Sequence, residues 1–114
     1  MTVTIYHNPN CSNSRKALEI IRAHDIEPHI VEYLKTPLRP NALRHLIKDQ
    51  MKMEVRDVIR TKEPVYAEMD LEGRDDDTLL AAMSAHPILM NRPIVVTPKG
   101  AMLCRPGEVV EGLL

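Results

Sequence analysis

The stretch Val3-Thr4-Ile5-Tyr6-His7-Asn8-Pro9-Asn10-Cys11-Ser12-Asn13-Ser14-Arg15-Lys16-Ala17-Leu18 changes its periodicity in the middle. Val3 to Tyr6 alternates apolar and polar residues, the period of a half-buried strand. His7-Asn8-Pro9-Asn10 is a turn-forming cluster. From Ser12 or Asn13 the period becomes helical. Ala17, Leu18 and Ile21 fall on one side, and Lys16, Glu19 and Arg22 on the other. A strand therefore runs through a tight turn into a helix, and Cys11 stands at the junction. His29 to Tyr33 supplies a second β-rich run. Strand, helix and strand at this spacing predict one βαβ unit with parallel strands and a right-handed crossover.

Further along, helical signals replace strand signals. Leu43, Leu46 and Ile47 mark one helix, with Pro40 placed in its first turn. Val55, Val58 and Ile59 mark a short second one. Asp75, Asp76 and Asp77 precede Leu79, Leu80 and Met83, so acidic residues can cap that helix and complement its positive end. Pro87 stops it. Ile94 to Thr97 and Ala101 to Cys104 flank Pro98-Lys99-Gly100, the pattern of an antiparallel hairpin. Pro106 opens a last helix, with Val109, Val110, Leu113 and Leu114 as its apolar side. The order βαβ, helical insert, ββα predicts an α/β thioredoxin-like fold. Its four-stranded mixed sheet carries an inserted helical layer, and residues 1–114 form a single domain.

Composition narrows the function. The 114 residues are 44% hydrophobic and 27% charged, which fits one globular domain with its own core. The net charge of -1 gives no basic field to recruit nucleic acid. Three tyrosines with no Phe or Trp make a base-stacking surface hard to build. No apolar run reaches membrane-spanning length. The first residues lack the basic and apolar segments of a signal peptide. A cytoplasmic location and free thiols are expected, with no nucleic-acid or membrane partner. The histidines at 7, 24, 29, 45 and 86 lack metal-ligand spacing alongside the cysteines, and no phosphate-loop or dinucleotide motif occurs. No metal and no bound cofactor are expected.

Cys11 is the candidate nucleophile. Backbone N–H groups at a helix start carry partial positive charge. They favour the thiolate and can hold an oxyanion against the sulfur. A buried structural cysteine is the competing reading, but the flanking His7, Asn8, Asn10, Ser12, Asn13 and Ser14 are polar. Cys11 to Ser14 is C-x-x-S, so no resolving thiol lies one turn on, and a disulfide cycle needs an outside thiol. Position 17 is Ala, so the C-x5-R loop of tyrosine phosphatases is absent. Ser14 either donates a hydrogen bond to the thiolate or is an ordinary helix-terminus residue. His7 either supports the thiolate or a bound anion, or caps the strand. Arg92 and Arg105 each precede a proline, which holds them extended and gives their side chains a defined direction. With Arg60, near the end of a short helix, they are candidates to bind a tetrahedral oxyanion. Taken singly, each reads better as a solvated surface arginine. Cys104 lacks a polar cluster and reads as a packed strand residue.

His7-Asn8-Pro9-Asn10-Cys11-Ser12-Asn13-Ser14-Arg15 resembles the H-N-P-x-C-x-x-S-R signature of glutaredoxin-dependent arsenate reductases. Tyr33-Leu34-Lys35-Thr36-Pro37, the run His86 to Pro98, and Leu103-Cys104-Arg105-Pro106 are similar to further stretches of that family. The resemblance spans essentially the whole chain. It implies reduction of arsenate to arsenite, with Cys11 attacking arsenate, His7 assisting, and Arg60, Arg92 and Arg105 holding the oxyanion. It further implies glutathione as co-substrate and glutaredoxin as the partner that clears a mixed disulfide. Many family members continue past the final helix, whereas this sequence ends at Leu114. That departure favours a second reading, a general glutathione-linked thiol oxidoreductase on the same scaffold. A third is a non-catalytic regulator that binds a protein partner.

Overall fold

The computed structural model describes residues 2–114. The chain divides into two compact units, one made of residues up to Thr36 together with Arg92–Leu114, the other of Pro37–Asn91.

The first unit carries the sheet. Strand β1 (Thr4–Tyr6) leads into helix α1 (Ser12–Ala23), and strand β2 (His29–Val31) returns parallel to β1. Strands β3 (Ile94–Thr97) and β4 (Gly100–Leu103) form the expected hairpin, and β3 lies antiparallel to β1. The sheet order is β2-β1-β3-β4. This is the mixed four-stranded sheet of a thioredoxin-like fold. Val3, Ile5 and Val95 from the sheet pack with Ala17 and Ile21 of α1, and with Val110 and Leu113 near the C-terminus. Burial of those side chains is the main force holding α1 against the strands.

In this unit β2 and the final helix differ from their sequence reading. Strand β2 stops at Val31 rather than Tyr33, because the Glu32 carbonyl accepts the N–H groups of Lys35 and Thr36 in a turn. The final helix is a 3₁₀ helix, Gly107–Leu113, with Val110 and Leu113 buried and Val109 and Leu114 only half-buried. Gly107 and Gly112 weaken the α form there. The Thr97 hydroxyl donates to the Leu113 carbonyl (2.9 Å) and the Lys99 ammonium to that of Leu114 (2.7 Å), so tertiary donors cover the last turn.

The second unit is helical. Helix α2 (Pro40–Arg44) widens into a π-type stretch, His45–Gln50, whose end is marked by the Met51 N–H on the Leu46 carbonyl. Leu43, Leu46 and Ile47 are buried, as their spacing requires. Val55–Asp57 is a single 3₁₀ turn. Helix α3 (Pro64–Glu68) was not expected from the pattern, because its five residues are too few to show a period. Helix α4 (Asp76–Ala85) is capped by Asp75, whose carboxylate accepts the Thr78 N–H at 2.9 Å. Arg44 pairs with Asp77, and Lys48 with Asp76, which ties α2 to the start of α4. Among the described residues no helix is long and apolar enough to cross a membrane.

One glycine fixes how closely the C-terminal 3₁₀ helix approaches α1. A Cβ at Gly107 would lie 2.5 Å from the Asn13 carbonyl oxygen and 2.9 Å from the Ala17 nitrogen. Both are backbone atoms of α1 and cannot turn aside. Gly107→Ala should therefore cost about 1–3 kcal/mol of stability. Urea unfolding followed by circular dichroism checks this, and an unchanged midpoint would contradict the close approach.

Candidate active site

Cys11 is the N-cap of α1, with extended backbone (φ -100°, ψ 124°). Its N–H donates to the Asn8 carbonyl (3.0 Å), and its carbonyl accepts the Arg15 N–H (3.0 Å). The approach loop is held from both sides. The Asn8 side chain accepts the Asn10 N–H at 3.0 Å, and Arg15 Nη1 donates to the Pro9 carbonyl at 2.8 Å. These bonds close a tight turn that sets the Cys11 side chain over the open end of the helix. The residue is only 7% exposed.

Four groups act on the sulfur against its burial. Burial alone raises a thiol pKa, but the backbone N–H groups of Ser14 and Asn13 bond the sulfur and lower it. The charge of Arg92 and a hydrogen bond from Arg105 act in the same direction, and the net shift is downward. Arg105 Nη1 lies 3.8 Å from Cys11 Sγ. The helix-start activation expected from sequence is therefore made of named donors.

The arginines reach this place through the hairpin. The β3–β4 register pairs Ile94 with Leu103, and the Cys104 N–H continues it by donating to the Pro93 carbonyl at 2.9 Å. Arg92 and Arg105 thus come to lie across from each other, and Arg105 Nη1 also donates to the Arg92 carbonyl at 2.9 Å. Both arginine–proline bonds, Arg92-Pro93 and Arg105-Pro106, are cis. Like charges placed opposite each other in a ladder are unfavourable unless an anion accompanies them.

Ser14 and His7 are brought to the same place, with one correction. The Ser14 hydroxyl hydrogen-bonds His7 Nδ1 (2.6 Å) and the Asn8 N–H (3.0 Å). The group of Ser14 that meets the Cys11 sulfur is its backbone N–H, not its hydroxyl. The hydroxyl is drawn away because the turn points the Asn8 N–H and the His7 ring back at the first turn of α1. The His7 pKa is pushed down, first by burial. Arg22 and Arg15 add to this, and Glu32 opposes it.

Arg60 belongs to the helical unit. There its Nε donates to Glu63 (3.1 Å) and its Nη1 to Asn91 (3.4 Å). The structure thus groups Cys11, His7, Ser14, Arg92 and Arg105, with Arg60 in the other unit. Sequence reasoning missed the parts played by Asn8, Asn13 and Arg15. An Asn two residues before another turn residue is the signal that could have flagged Asn8. Cys104 is fully buried in the core of the first unit, its thiol is pushed up to about 11 by burial, and it is unpaired with Cys11. Among the described residues, no three His, Cys, Asp or Glu side chains gather as metal ligands.

Comparison with known proteins adds four findings. The model of the ArsC family matches residues 6–113. An arsenate reductase of Rhizobium meliloti (strain 1021) is 51% identical over 116 residues, covering 100% of this chain and 82% of that protein. An arsenate reductase of Escherichia coli (strain K12) is 49% identical over 114 residues, covering 98% of this chain and 80% of that one. The solved structure of an arsenate reductase from Vibrio cholerae superposes with a TM-score of 0.94 at 42% identity, covering 100% of this chain and 98% of that one.

The two cysteines should separate cleanly by reactivity. Iodoacetamide alkylation of Cys11 should show an apparent pKa below the free-thiol value of about 8.5. Cys104 should stay unmodified in the folded protein at pH 8, since its thiol titrates near 11. Peptide mapping across a pH series checks both. Equal labelling of the two residues would contradict the assignment.

Proposed function

This chain belongs to the ArsC family, and from that premise we propose that it reduces arsenate to arsenite through a Cys11 thiolate–arsenic adduct, with glutathione and glutaredoxin as reductants. The observation that carries the proposal is the guanidinium of Arg105 placed 3.8 Å from a sulfur that already faces two backbone N–H groups. A nucleophile and an anion seat then share one spot, and Arg92 adds a second charge there.

The proposed chemistry has two parts. The Cys11 thiolate attacks arsenic, an S–As bond forms, and one oxygen leaves as water after protonation. Arsenic stays pentavalent in this step. A glutathione thiolate then attacks the adduct, two electrons pass to arsenic, and arsenite departs. The two sulfurs end as a Cys11–glutathione disulfide, which glutaredoxin resolves with a second glutathione. The sum is arsenate plus two thiols giving arsenite, one disulfide and water.

The roles follow from charge. The guanidiniums of Arg92 and Arg105 replace the water that the oxyanion loses, and the α1 N–H groups stabilise charge as the adduct forms. Cys104 does not resolve the adduct, since its thiol is buried in the core. An external thiol is therefore required.

Arg92→Ala and Arg105→Ala should each reduce arsenate turnover about ten- to a hundredfold, the value of one lost charged hydrogen bond. Lysine at either site should restore only part, because it lacks the planar fork. Turnover should also depend on added glutathione and glutaredoxin. Steady-state arsenate reduction checks each variant, with circular dichroism confirming folding. Folded variants with unchanged turnover would remove the oxyanion-site assignment, and no arsenate turnover by the unmodified protein would favour the general thiol oxidoreductase. Full activity with thioredoxin alone would overturn the assigned reductants.

A further inference from the structure

The Ser14 side chain is completely buried, and so its one hydroxyl proton must find an acceptor. Its oxygen already takes the Asn8 N–H at 3.0 Å. Its other partner is His7 Nδ1, at 2.6 Å. If Nδ1 carried a proton and donated to the hydroxyl, the Ser14 proton would be left buried without a partner, which is unfavourable. If the Ser14 hydroxyl donates instead, all three groups are satisfied.

We propose that Ser14 is a positioning residue: its hydroxyl donates to His7 Nδ1 and fixes His7 as the Nε2–H tautomer, while its own backbone N–H remains on the Cys11 sulfur. One residue thereby ties the end of β1 to the first turn of α1. The consequence concerns the role of His7. With Nδ1 filled, the remaining ring nitrogen carries a hydrogen and can only donate. His7 is then a neutral hydrogen-bond donor, not a base that takes the thiol proton. Burial favours this neutral form, and of the charged residues that act on the ring only Glu32 opposes it, while Arg15 and Arg22 reinforce it.

This inference deepens the reading of Cys11 as the nucleophile, but its test does not use arsenate turnover. ¹⁵N NMR of histidine-labelled protein reads the tautomer directly, with His7→Asn assigning the signal among the five histidines. His7 should show an unprotonated Nδ1 and a protonated Nε2 from pH 7 to 8. A protonated Nδ1 in the unmodified protein would overturn the proposal, whether or not any variant folds. Ser14→Ala should mix the two tautomers and slow Cys11 alkylation at pH 7 about two- to tenfold, the range of one ordinary hydrogen bond. Ser14→Thr keeps the hydroxyl and should keep the single tautomer. An unchanged His7 spectrum in Ser14→Ala would also overturn it. Failure of the arsenate assay alongside the expected spectrum would count against the substrate and leave this assignment standing.

Discussion

The site depends on one unsatisfied helix end. An α-helix begins with N–H groups that have no partner within the helix. Here the first turn of α1 offers those of Asn13 and Ser14 to the sulfur of Cys11. Burial penalises a thiolate, so these donors matter most where water is excluded. The short loop from His7 to Asn10 exists to place the sulfur over them. Its bonds, Asn8 to Asn10 and Arg15 to Pro9, allow it little freedom. Close packing of Gly107 on Asn13 and Ala17 in turn fixes α1 itself.

The charges added by the hairpin make sense only beside that sulfur. Arg92 and Arg105 face each other across a continued ladder, where they repel. Both act on the Cys11 sulfur, Arg92 by its charge and Arg105 by a hydrogen bond, so a thiolate there offsets part of that repulsion. The hairpin also buries the second cysteine. Cys104 is adjacent in sequence to Arg105, yet its thiol enters the apolar core while the guanidinium reaches Cys11.

Much of this was legible in the sequence, for local reasons. The change from strand to helical period at Cys11 is visible within a few residues, and the hairpin is marked by its turn. The opposition of the arginines could also have been found, because Arg92 and Arg105 lie equally far out from the turn residues Thr97 and Gly100. What escaped was information carried by tertiary bonds. The Ser14 hydroxyl can reach either Cys11 or His7 from the first turn of a helix, and only the path of the His7–Asn8 backbone decides between them. The final helix read as α by its apolar spacing, but two glycines and the donors of Thr97 and Lys99 made it 3₁₀. Helix α3 is too short to carry a period at all.

The central claim is that Cys11, and no other residue, forms the bond to the oxyanion. Mass spectrometry of the protein incubated with arsenate and glutathione, without glutaredoxin, tests it most directly. The account predicts one modification, a glutathione disulfide or an arsenic adduct, confined to the peptide that carries Cys11 and absent in Cys11→Ser. It also predicts that this modification needs arsenate when the glutathione is fully reduced. An unmodified Cys11, or modification shared with Cys104, would contradict it.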